Sequence, residues 1–203
     1  ILNPNIIFLF SETFALNPLL ISFLLVIFFT YIINAINFLD GLDGFITLPF
    51  VIFFIISGFI ISKIYFAVAL SLIVFLFWNW NPAKVFMGDV GSTFLGALLC
   101  LTISKAHDFP QFLLFFSLWI PYLLDSVITI LMRFFSKENI FQSHSKHLYQ
   151  KLYKKGLPHS VVTIIFSITS IFCFYFVSKS INNFIPMTII VFFLGVILSL
   201  SSK

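Results

Sequence analysis

Long apolar runs, broken by short polar interruptions, organise the chain from end to end. They extend over about 18–38, 45–62, 64–80, 91–104, 110–135, 160–177 and 184–200. Runs near the length that spans a bilayer predict about seven transmembrane helices. Backbone polar groups in lipid must bond within their own segment, so the expected fold is an all-α, polytopic membrane helical bundle. It forms a single integral membrane domain over 1–203. The fourth run is short and rich in small residues (Gly91, Ser92, Gly96, Ala97), which suits close packing inside a bundle. The fifth is long enough to emerge from the bilayer as one helix. Residues 1–17 read as a loop or re-entrant piece.

Composition agrees with this pattern. Of 203 residues, 61% are hydrophobic and 9% charged, where a soluble domain carries about a quarter charged. Cys100 and Cys173 lie inside apolar runs and read as small packing residues, not as a disulfide framework. The chain opens on Ile1 with no charged n-region, so no signal peptide is expected.

Charge orients the bundle. If each helix crosses once, the loops at 34–44, 79–90 and 134–159 share one face with the C-terminus. That face carries Lys84, Arg133, Lys137, Lys146, Lys151, Lys154, Lys155 and Lys203, against Lys63, Lys105 and Lys179 on the other. The excess assigns the first face to the cytoplasm. Because the basic residues gather in one loop, the net charge of +4 points to lipid head groups or a phosphorylated substrate and away from nucleic acid.

The polar residues of that face form three clusters. The first, from Asn34 to Gly44, sets Asn34, Asn37, Asp40 and Asp43 beside two glycines at a helix end. The carboxylates could accept hydrogen bonds from a nucleoside or hold a cation. A capping turn explains an Asp-Gly pair about equally well when it is read alone. The second runs from Asn79 to Ser92, with Lys84 and Phe86, and places Asp89 between two glycines before a helix. Asp89 is an oxygen ligand for a hard cation, the helix start offers free amides to phosphate, and Phe86 gives a flat face for a base. A helix cap is the plainer alternative. The third contains His144 and His147 in a basic loop. The His-x-x-His spacing serves a metal pair or paired donors to a diphosphate, and the surrounding cations favour the second. Asp125 lies within the fifth run; a buried intramembrane carboxylate is functional or paired. The expectation is a structural partner supplied from outside this sequence. His107 and Asp108 read as solvated, and His159 is given no role.

Taken in order, these clusters resemble the polyprenyl-phosphate N-acetylhexosamine-1-phosphate transferase family of polytopic membrane enzymes. Asn34–Gly44 is similar to its Asn-x-x-Asn-x-x-Asp-Gly-x-Asp-Gly motif, and Asn81–Ser92 matches its Asn-Pro-Ala-Lys-Val-Phe-Met-Gly-Asp-x-Gly-Ser motif nearly residue for residue. His144–Gln150 is similar to a His-x-x-His-x-Tyr-Gln form of its cytoplasmic loop. The resemblance implies attack of undecaprenyl phosphate on the β-phosphate of a UDP-N-acetylhexosamine. The products would be a lipid-diphosphate-sugar and UMP, with magnesium required and manganese as an alternative. It also implies that Asp89 is the metal ligand and that Phe86 and Asp43 hold uracil. Asn34, Asn37, Asn79, Asp40 and Lys84 would line the nucleotide pocket, with His144 and His147 facing the diphosphate or sugar.

The family also carries an upstream Asp-Asp motif and about ten or eleven helices. No Asp-Asp occurs here, so the sequence reads as the C-terminal portion of a larger transferase domain. The third cluster resembles enzymes that initiate O-antigen and other surface polysaccharides more than the triple-His peptidoglycan branch. The expected location is the bacterial inner membrane, with the site facing the cytoplasm. The alternatives are a non-catalytic transporter and an inactive membrane scaffold.

Overall fold

A computed structural model describes residues 4–139 and 146–200, with the side chains of 199 and 200 left aside. All regular structure among the described residues is helical. The helices are α1 (Pro4–Phe14), α2 (Pro18–Leu39), α3 (Thr47–Ile60), α4 (Ile64–Asn79), α5 (Gly88–Ile103), α6 (Phe109–Ser117), α7 (Ile120–Phe135), α8 (Leu148–Lys154), α9 (His159–Lys179) and α10 (Phe184–Leu200).

The seven apolar runs all appear, with two differences. The fifth run is not one helix. It is the pair α6 and α7, bent by 75°. The cause is Pro121 in the first turn of α7, which has no N–H to donate and whose ring excludes a helical carbonyl four residues back, at Ser117. Residues 4–14 of the predicted N-terminal loop form α1. By length and apolarity, α2, α9 and residues 181–198 can each cross a bilayer, and the bent pair makes a fourth crossing if counted as one span. Helices α3, α4 and α5 are apolar but have 14, 16 and 16 residues.

Capping residues set several boundaries. Asn17 accepts from the Leu19 amide at 2.8 Å at the start of α2, next to Pro18. Asp108, expected to be merely solvated, caps α6 by accepting from the Gln111 amide at 2.7 Å.

Helices α3 and α4 form a hairpin, and α2 packs along α5. An added Cβ at Gly96 would fall 3.1 Å from the Ile33 Cα, so this contact needs the small residue expected in the fourth run. An aromatic core joins α3 to the bent pair through Phe50, Phe53, Phe115, Trp119 and Tyr122, all buried. Phe50 lies 4.6 Å from Trp119 between ring centroids, and Phe45 lies 5.1 Å from Tyr122. This core packs the start of α3 against the bend between α6 and α7.

Candidate active site

The first two clusters are joined by two sets of side-chain hydrogen bonds. Asn37, in the last turn of α2, donates from Nδ2 to Ser92 Oγ at 2.9 Å and to Asp89 Oδ1 at 3.4 Å. Asp43 Oδ2 accepts from Asn81 Nδ2 at 2.8 Å and from the Ala83 amide at 3.1 Å. Together these tie the loop after α2 to both ends of the loop between α4 and α5.

Asn79 is the deepest link. Its side-chain oxygen accepts from the Thr47 hydroxyl at 2.6 Å and the Gly44 amide at 3.2 Å, and its Nδ2 donates to the Val85 carbonyl at 3.0 Å. It is 3% exposed. The pocket-lining role expected of Asn79 is therefore corrected: its amide is turned into the scaffold and holds two loops together. Gly44 makes this approach with φ of +70°, where an added Cβ would stand 3.0 Å from the Trp80 ring.

The two outer carboxylates differ in burial, Asp40 being half-buried and Asp89 exposed. Burial, and then the charge of Asp89, push the Asp40 carboxyl up to about 6. Asp89 sits exposed in the first turn of α5, whose start follows from Gly88 at φ of +67°. Free amides there favour negative charge. For Asp43, burial alone would raise the carboxyl, but hydrogen bonds from Asn81 and Ala83 and the facing His159 outweigh it. The net direction is down. His159 Nδ1 lies 3.3 Å from Asp43 Oδ2, and Thr163 Oγ1 donates to the Asp43 carbonyl at 3.3 Å. Both come from α9. Sequence reading gave His159 no role; its position at the start of an apolar helix, just after Pro158, was the available signal.

Phe86 is 73% exposed, and Lys84, two positions earlier, is also exposed, its Nζ 5.6 Å from the Trp78 ring. Asn34 stands apart: it is exposed and bonds back to the Thr30 carbonyl of its own helix at 2.8 Å. Among the described residues, no hydrogen bond links Asn34 to the clusters.

The third cluster enters through α8. The Tyr149 hydroxyl donates to the Phe38 carbonyl at 3.2 Å, and its ring stacks on Phe45 at 4.6 Å. A Cβ on Gly41 would fall 2.5 Å from that hydroxyl, so any larger residue in the first Asp-Gly pair would press on Tyr149 of α8. His147 is 4% exposed, and its ring stacks on Tyr149 at 5.5 Å. His144 lies outside the described residues. Beside them, Lys146 pairs with Glu138 at 2.5 Å, and Arg133 bonds Glu138 and the Asn139 carbonyl.

No group of three or more His, Cys, Asp and Glu side chains converges among the described residues. Asp40 and Asp89 each offer hard carboxylate oxygens, one half-buried and one exposed. That donor set fits a small divalent cation, which takes one or two carboxylates and completes its shell with phosphate and water.

A family model described as glycosyl transferase family 4 matches residues 2–107. The chain belongs to this family. The matched range contains the first two clusters and stops before α6, so α8 and His159 lie beyond it. Among curated relatives, a probable undecaprenyl-phosphate N-acetylglucosaminyl 1-phosphate transferase of Bacillus subtilis (strain 168) is 34% identical over 164 residues. That alignment covers 73% of this chain and 45% of the relative. A phospho-N-acetylmuramoyl-pentapeptide-transferase of Clostridium beijerinckii is 33% identical over 175 residues, covering 80% of this chain and 52% of the relative. Another of that name, from Wolbachia sp. subsp. Brugia malayi, is 28% identical over 190 residues, covering 82% and 57%. The chain spans about half the length of the curated relatives it matches. The family found is the one its motifs resembled, and the relatives named include both an N-acetylglucosaminyl 1-phosphate transferase and phospho-N-acetylmuramoyl-pentapeptide-transferases.

Proposed function

We propose that this chain carries the nucleotide and cation side of a membrane transferase active site. The reaction moves N-acetylhexosamine-1-phosphate from a UDP-sugar to undecaprenyl phosphate, giving a lipid-diphosphate-sugar and UMP, and initiates a cell-envelope polysaccharide. The observation that carries this reading is the junction of the two family motifs. Asn37 bonds Asp89 and Ser92, and Asp43 bonds Asn81 and Ala83, so residues about 40–50 positions apart become one acidic surface.

Phosphoryl transfer asks a protein mainly for positioning and charge neutralisation. Asp40 and Asp89 would hold magnesium, with manganese as a substitute, and when bound this ion would neutralise the diphosphate oxygens. Asn37 orients Asp89 by donating to one of its oxygens, leaving the other for the cation. Phe86 offers an open aromatic face for uracil, and Lys84 places a cation beside it. Asp43, bonded by Asn81 and facing His159, fixes the loop against which the nucleotide lies. His147, expected to face the diphosphate or sugar, is enclosed against Tyr149 and supports this loop from behind.

The basic loops, the two kinds of relative and the apolar helices together support a bacterial inner-membrane location with this surface toward the cytoplasm. The GlcNAc-type relative and the His-x-x-His-x-Tyr-Gln loop favour an N-acetylhexosamine donor for a surface polysaccharide. The test is UMP release from UDP-N-acetylglucosamine by the full-length protein with undecaprenyl phosphate and magnesium. Asp89→Asn should lower turnover on the order of 100-fold or more. Unchanged turnover would remove Asp89 from the cation site.

A further inference from the structure

Asp125 is the one carboxylate enclosed within an apolar helix among the described residues, and its partners lie in this chain. It sits midway along α7, 3% exposed. Its Oδ1 accepts from the Leu148 amide at 2.7 Å and from Thr129 Oγ1 at 3.4 Å, and its Oδ2 accepts from the Tyr149 amide at 3.4 Å. His147 Nδ1 lies 3.8 Å from Oδ1. The first turn of α8 thus rests its free amides on a carboxylate borrowed from another helix. The turn also carries a capping box, in which the His147 amide donates to Gln150 Oε1 at 3.2 Å while the His147 ring stacks on Tyr149. On its opposite side, the same turn is held to the end of α2 by Tyr149 and the Phe38 carbonyl.

A buried carboxylate is costly unless its lone pairs are filled, and here two backbone amides and a hydroxyl fill them. We infer that Asp125 is a positioning residue for the proposed transfer. It fixes the register of α8 and so sets where His147 and Tyr149 stand against the loop that carries Asp40 and Asp43. Asp125 acts through α8 and touches no substrate. The inference rests on the proposed function for its kinetic arm but not for its structural arm.

The structural arm is hydrogen exchange, followed by mass spectrometry, on the full-length protein in detergent. Asp125→Asn should speed exchange in the segment 146–154 by about ten-fold, the scale of a lost charge-assisted hydrogen bond, while peptides from α2 to α5 stay unchanged. Asp125→Glu should restore part of the protection. Thr129→Val, which removes one donor and keeps the carboxylate, should give a smaller increase; it serves as the readout if Asp125→Asn does not accumulate folded. In the kinetic arm, Asp125→Asn should lower kcat with little change in KM for the UDP-sugar. It should have little further effect in a His147→Ala background. Equal exchange at 146–154 in Asp125→Asn and the unaltered protein overturns the inference, as do multiplying kcat losses in the double variant. Should the protein release no UMP at all, the exchange result still decides the positioning role while the proposed function alone fails.

Discussion

Replacing Asn79 with Ala probes the junction between the motifs where it is deepest. Three hydrogen bonds end on this side chain, from Thr47, from the Gly44 amide and to the Val85 carbonyl. Truncation lets the Thr47 hydroxyl turn to its own helix and the exposed Val85 carbonyl turn to water, but leaves the buried Gly44 N–H without its partner. At about 1–3 kcal/mol for an orphaned buried group, the expected loss is about 2 kcal/mol. For a chain of this size that corresponds to a fall in Tm of roughly 4–8 °C. Asn34→Ala is the matched control, because that exposed amide bonds only its own helix; it should cost less than about 0.5 kcal/mol. Differential scanning fluorimetry in detergent reads both. Equal Tm values for the two variants would refute the clamp assigned to Asn79.

Other outcomes follow from the same geometry. Gly41→Ala should destabilise the protein through the clash with the Tyr149 hydroxyl, and adding Tyr149→Phe should recover part of the Tm; a purely additive double variant contradicts the contact. Phe86→Ala should leave Tm unchanged but raise KM for the UDP-sugar by roughly 5- to 100-fold, the scale of base–aromatic stacking, as measured by UMP release. Asp40 should make the cation-free protein pH-sensitive. Its folded pKa of about 6 lies above the ordinary 3.8, so between these values the folded state binds more protons and stability falls as pH rises. Asp40→Asn should flatten that slope in a thermal-shift series from pH 4 to 7, and a slope unchanged by the substitution contradicts the raised Asp40 carboxyl.

Much of this was legible in the residues. Apolar run length gave the helices because lipid leaves the backbone no other way to bond. The order of Asn34–Gly44 and Asn81–Ser92 gave the family, since each motif is local in sequence. What escaped was long-range or depended on one residue overriding a pattern. Hydropathy stays high through Pro121, so the 75° bend is invisible to a window that averages it. Asn79 reads like any polar residue at a helix end, and only the fold turns it inward against Gly44 and Thr47. The His159 and Asp43 pair spans 116 positions, and no local spacing announces it. Asp125 was recognisable as a buried carboxylate in need of a partner, but that partner is backbone, the amides of α8, which leave no mark in the side-chain sequence.

The most direct measurement is product analysis with the full-length protein, undecaprenyl phosphate, magnesium and UDP-N-acetylhexosamines in turn. The predicted result is equimolar UMP and lipid-diphosphate-sugar from at least one donor, identified by mass and abolished by chelation and by Asp89→Asn. Folded protein that binds UDP-sugar but yields neither product with any donor would contradict the transferase reading.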